Sequence, residues 1–129
     1  MNGKYWSAIF WAAAIFNFLA GLPPLLVPEM VVANAELPPF APEHLLIVRM
    51  SGLLICTFGI GYAMVALGWP GTRQIVALGL IGKLGLCFLV ALQFAQTGVS
   101  ATVIGATAGD FIFVVLFALY LSRTGKAPA

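Results

Sequence analysis

Residues 74–96 read QIVALGLIGKLGLCFLVALQFAQ, an apolar run broken by one charge, Lys83. At about 1.5 Å of rise per residue a helix of this length crosses a hydrocarbon core about 30 Å thick, so the stretch predicts a membrane-spanning helix rather than a soluble one. Working outward, residues 101–121 read ATVIGATAGDFIFVVLFALYL, again with one charge, Asp110. Upstream, Leu45 to Gly68 is apolar except for Arg49, and Tyr5 to Leu26 carries no charge but holds Asn17 in its middle. These four stretches dominate a chain of 129 residues with only 8% charged side chains and a mean hydropathy of +1.07. That composition excludes an ordinary soluble domain and leaves no room for a separate soluble module. The expectation is all-α: one integral membrane domain, an antiparallel four-helix bundle with helices at about 5–26, 45–68, 74–96 and 101–121 and an outer proline-rich segment at 27–43.

Basic residues near helix ends are retained on the cytoplasmic side. Lys4 precedes the first helix, Arg73 lies between the second and third, and Arg123 and Lys126 follow the fourth, whereas the 27–43 segment and its border hold Glu29, Glu36 and Glu43. Both termini are therefore expected to be cytoplasmic. Tyr5, Trp6, Trp69 and Tyr120 fall at the same boundary, where amphipathic rings are favoured. A competing reading makes the first stretch a cleaved signal peptide, with Ala33-Asn34-Ala35 as a small-residue cleavage site. Its apolar run is longer than the usual signal core of about 7 to 15 residues, which favours a retained helix.

The connections constrain the packing. Trp69-Pro70-Gly71-Thr72 reads as a tight inner turn with Thr72 as a helix cap, and Thr97-Gly98-Val99-Ser100 as a tight outer one capped by Ser100. Short links make sequential helices neighbours. The segment from Val27 to Glu43 reads either as an interfacial cap over the bundle mouth or as an ordinary loop, with Pro42 and Glu43 suited to the first turn of the next helix. Pro23 and Pro24 either end the first helix or kink it and free carbonyls one turn below. Small residues recur at contact spacing: Gly52, Cys56, Gly59 and Ala63; Gly79, Gly82 and Gly85; Ala101, Gly105 and Gly109. Such faces permit the close backbone approach that membrane helices rely on, within one chain or in a homo-oligomer.

A charge at mid-helix is penalised by at least about 2.5 kcal/mol on insertion scales, so each needs a partner or a task. Lys83 and Asp110 each lie about ten residues into their helices, near the bilayer midplane. They are expected to pair, with Asn17 and Thr57 at similar depth, giving a polar cluster of Asn17, Thr57, Lys83 and Asp110. Arg49, one turn into its helix, either snorkels toward Glu43, His44 or the headgroups, or offers a guanidinium fork to an anion or carbonyl at a cavity mouth. Tyr62, with Phe58, Phe88, Phe113 and Phe117, is a candidate lining for an apolar pocket.

Chemistry beyond binding finds little support. Cys56 and Cys87 lie in different helices, form no CxxC motif and read as packed small residues. His44 alone makes no metal site, no paired-carboxylate pattern lies in the membrane, and Gly79 to Lys83 is not a phosphate-binding loop. No catalytic residue and no cofactor is assigned, and a net charge of +2 from dispersed residues argues against nucleic acid as a partner.

The stretches Arg49-Met50-Ser51-Gly52, Gly59-Ile60-Gly61-Tyr62, Gly82-Lys83 and Gly109-Asp110, together with the helix number, resemble the DoxX-like family of small bacterial four-helix membrane proteins. The long proline-rich outer segment departs from that pattern. The resemblance covers the membrane core and implies a multi-pass protein of the bacterial inner membrane, quinone-adjacent or bound to a redox complex. The expected function is binding of an apolar ligand (lipid, quinone or isoprenoid) or service as an accessory subunit of a membrane complex, rather than a self-sufficient enzyme. Two alternatives remain: a proton-coupled transporter working through the Lys83–Asp110 pair, and a subunit of a quinone-linked redox enzyme. Expected partners are membrane lipid, an apolar small molecule, and a membrane protein or a second copy of the chain.

Overall fold

The apolar runs form helices, as their backbone groups must in a medium with no water to bond them. In a computed structural model, described over residues 3–124, the order is α1 (Gly3–Leu26), a short α2 (Pro28–Asn34), a 3₁₀ turn (Pro42–His44), α3 (Leu45–Ala66), α4 (Arg73–Gln96) and α5 (Ala101–Thr124). Four of these helices are long and apolar enough to cross a membrane, and the described residues contain no strand. Lys126, one of the basic residues used for orientation, lies outside the described residues.

The helices pack as two close pairs, α1 with α3 and α4 with α5, which meet each other less extensively. The α1–α3 seam is made of small residues. Gly52 lies so close to α1 that a Cβ there would sit 2.6 Å from both the Gly21 carbonyl oxygen and the Leu25 nitrogen. Cys56 packs against Gly21, and Gly59 against Asn17 and Phe18. The stripe at Gly52, Cys56 and Gly59 thus serves contact within the chain, where dispersion between closely spaced backbones replaces the missing hydrophobic drive.

Pro23 and Pro24 do not end α1, which continues to Leu26. Proline removes a hydrogen bond one turn back, and here the helix end is held by a neighbour instead: Arg49 of α3 donates from Nη1 to the Leu25 carbonyl at 2.8 Å. Of the two sequence readings of Arg49 this is the carbonyl contact, made to the end of a helix rather than to a ligand, and not the one toward Glu43, His44 or the headgroups. Arg73 does the same for the other pair, donating to the Leu121 carbonyl at 2.8 Å and to the Thr124 hydroxyl at 3.3 Å. Positive charge at a helix C-terminus also complements the helix dipole.

The 27–43 segment contains α2, whose Pro28 and Val32 are buried against α1 and α3, so its first half is a packed cap. Ser100 caps α5, accepting from the Val103 N–H at 3.3 Å. Thr72 does not cap α4 through its side chain; its hydroxyl donates back to the Trp69 carbonyl at 2.9 Å, closing the turn instead. Gly68 and Gly98 adopt φ of +77° and +80° just beyond α3 and α4, left-handed positions that end each helix and suit glycine.

The dense core sits near one end of the bundle, where Trp6, Phe10, Ala13, Tyr62, Val76 and Phe117 are buried together. Trp6 and Tyr120 pack here edge to face at 5.2 Å. Tyr5 and Trp69 are exposed.

Candidate functional site

Immediately beyond this core the bundle becomes polar. Lys83 on α4 reaches across to α5, its Nζ 2.6 Å from Asp110 Oδ1, and also donates to Asn17 Oδ1 on α1 at 3.0 Å. Asn17 in turn donates from Nδ2 to the Ile55 carbonyl of α3 at 2.9 Å, so this one chain of hydrogen bonds touches all four long helices. All three side chains are buried. A charge-assisted bond of this length in a low-dielectric interior is strong, and the third partner orients the ammonium.

Three rings complete the surroundings of the ammonium. Phe16, Tyr62 and Phe113 place their centroids 5.2, 5.7 and 5.7 Å from Nζ, within the range where the negative face of an aromatic ring attracts a cation. The pair is thus surrounded by an amide and by aromatic faces.

Beside the pair lies a cavity of about 190 Å³. Lys83, Asp110 and Asn17 form its inner wall together with Tyr62, and Phe16 and Ala20 contribute from α1. Its rim is Leu54 and Phe58 of α3 and Leu78, Gly82 and Leu86 of α4. The leucines of that rim are mostly exposed on the outside of the bundle, so the cavity opens sideways between α3 and α4. Gly82 leaves it open, because no atom lies within 4 Å of where a Cβ would stand.

The structure thus brings together Asn17, Tyr62, Lys83 and Asp110. It does not bring Thr57 to them: Thr57 is exposed and its hydroxyl bonds the Leu53 carbonyl of its own helix at 2.8 Å. Thr57 follows closely on Ile55, the partner of Asn17, yet lies on another face: level along the bundle follows from sequence position, whereas face depends on how α3 is rotated against α1. Arg49 lies apart, at the α1 terminus. Of the aromatic residues expected to line a pocket, Phe58 and Tyr62 do, Phe113 stands over Lys83, Phe117 is in the core, and Phe88 is exposed. Phe16 was missed by sequence reading. Its signal was adjacency to Asn17, too weak to separate it from the other α1 phenylalanines.

Cys56 is buried in the α1–α3 seam and Cys87 is half-buried, its thiol 3.8 Å from the Thr107 carbonyl; both are free. Among the described residues no group of three or more His, Cys, Asp or Glu is placed to hold a metal ion. Compared with family models, with curated proteins and with solved structures, the chain shows no match.

Proposed function

We propose that this chain is a multi-pass protein of the bacterial inner membrane that binds an apolar small molecule in the cavity beside Lys83 and Asp110, in keeping with its resemblance to the DoxX-like family. The observation that carries this reading is the position of the cavity. It meets the only charged side chains buried among the described residues, and its rim lies on the exposed apolar surface of the bundle, which in this reading faces lipid. A molecule dissolved in the bilayer reaches such a site without crossing water. Pockets with mostly apolar walls and a few convergent polar groups are the usual form of small-molecule sites.

In the proposed topology the helices run antiparallel with both termini cytoplasmic. Ser7 of α1 donates to Ala66 of α3 while Arg49 of α3 donates to Leu25 of α1, which supports opposite directions for that pair. The contacts of Arg73 with Leu121 and of Lys83 with Asp110 support the same for α4 and α5. Service as an accessory subunit uses the same bundle and differs only in whether a larger protein shares the ligand.

Native mass spectrometry of the protein released from lipid nanodiscs tests the binding reading. A stoichiometric apolar adduct is expected, reduced in Gly82→Phe, whose ring would occupy the cavity mouth; a bare monomer in both would overturn it. Proton-coupled transport through the pair predicts instead a proton flux in liposomes that disappears in Asp110→Asn.

A further inference from the structure

The cavity wall carries hydrogen-bonding capacity that the protein leaves unused. Tyr62 is 1% exposed, yet its hydroxyl makes no hydrogen bond among the described residues. No fully sealed side-chain nitrogen or oxygen lacks a partner among those residues, so this hydroxyl, packed against Gly79 of α4, keeps an accessible edge where Tyr62 and Gly79 line the cavity. Asp110 lines the same cavity and bonds Lys83 through Oδ1 alone, leaving Oδ2 as an open acceptor. The ammonium of Lys83, by contrast, is already engaged by Asn17, Asp110 and the three aromatic rings around it. The wall thus presents one donor, the Tyr62 phenol, and one carboxylate acceptor.

Charge and size narrow what fits. Lys83 and Asp110 already balance, so an ionised head would bring an uncompensated charge into a low-dielectric site. A ketone or quinone carbonyl would satisfy the donor but leave the Asp110 oxygen unmade, and a hydrocarbon would leave both groups unmade. A hydroxyl accepts from Tyr62 and donates to Asp110 in one atom group. At about 190 Å³ the space is smaller than the about 300–1,000 Å³ of pockets that enclose a whole ligand, so it holds a head and a few carbons. The rim of Leu54, Leu78 and Leu86 then lets an apolar tail remain in the bilayer.

We infer that the cavity takes the head of a neutral, hydroxyl-bearing lipid that enters sideways between α3 and α4, an inference that rests on the apolar-ligand reading above and specifies its chemistry. The test uses the full chain in phosphatidylcholine nanodiscs and two photoactivatable probes of equal chain length. One is a long-chain alcohol and the other a long-chain methyl ketone, each with a diazirine a few carbons from the head. Labelled residues are mapped by tandem mass spectrometry.

The alcohol is expected to label Leu54, Leu78 or Leu86 about tenfold more than the ketone, the effect of one buried acceptor left unsatisfied. Gly82→Phe should abolish this labelling. Asp110→Asn, which can turn an N–H toward the cavity in place of Oδ2, should shift the preference toward the ketone. Equal labelling by both probes, still blocked by Gly82→Phe, would overturn the hydroxyl preference while leaving the binding site standing. Labelling that is no stronger at the rim than on the outer surface of α5, and unaffected by Gly82→Phe, would overturn both and leave the cavity to water. Gly82→Phe places its Cβ in open space, so its thermal unfolding in detergent should match the parent and show that lost labelling is not lost fold.

Discussion

Lys83 and Asp110 illustrate why a buried ion pair is sensitive to the loss of one member. Each charge leaves water at a penalty of several kcal/mol, recovered only while the opposite charge and the surrounding dipoles are in place. Lys83→Met strands the Asp110 carboxylate, and Asp110→Asn leaves the ammonium with Asn17 and three rings but no counter-charge. Each single variant should lose about 3–5 kcal/mol of stability, measured by denaturant titration in mixed micelles, and the double variant should recover most of it. Losses that simply add would mean that the two residues do not act as a pair. The meeting of these residues was legible in sequence because opposite charges at equal depth on consecutive helices have few other partners. Asn17 was legible because an amide in the middle of an apolar helix also needs a partner. Thr57 and Phe16 were not, since a hydroxyl can satisfy itself on its own helix and a phenylalanine is at home on any apolar face.

At the level of elements, the two helix pairs are held by different devices at their middles and the same device at their ends. The middle of α1–α3 depends on absent side chains, most sharply at Gly52, where backbone atoms of α1 stand 2.6 Å from a notional Cβ. Gly52→Ala should therefore force the helices apart and destabilise by about 1–3 kcal/mol. Gly82→Ala, on an open face, should be neutral or stabilising by up to about 1 kcal/mol through helix propensity. Thermal unfolding of the two variants side by side checks this; equal effects would show that spacing in sequence, rather than contact, determines the outcome. Both glycines fall in stripes that look alike in the sequence, so their difference is a property of which neighbour arrives. The ends are closed by Arg49 and Arg73, each near the start of one helix and bonded to the carbonyl end of another. In the sequence Arg73 reads only as a topological marker, and its second role follows from the free carbonyls that every helix end exposes.

On the scale of the whole molecule, the proposed topology makes a direct prediction. In a variant with Cys56 and Cys87 replaced by Ala, single cysteines at Gly3 and Gly71 should react with an impermeant thiol reagent from the cytoplasmic side, and cysteines at Leu37 and Val99 from the opposite side. Any other division would overturn the antiparallel arrangement with cytoplasmic termini. Four helices long and apolar enough to span were determined by the sequence alone, because length and hydropathy are local quantities and the bilayer demands internally bonded backbone. The depth of each polar residue was likewise determined, since rise per residue is constant along a helix. Rotation was not. Whether Gly52 or Gly82 is covered, whether Thr57 or Tyr62 faces the pair, and that a cavity opens beside Lys83 were decided only when the helices packed, because apolar residues surround each of these helices and no amphipathic stripe tells the protein-facing side from the lipid-facing one.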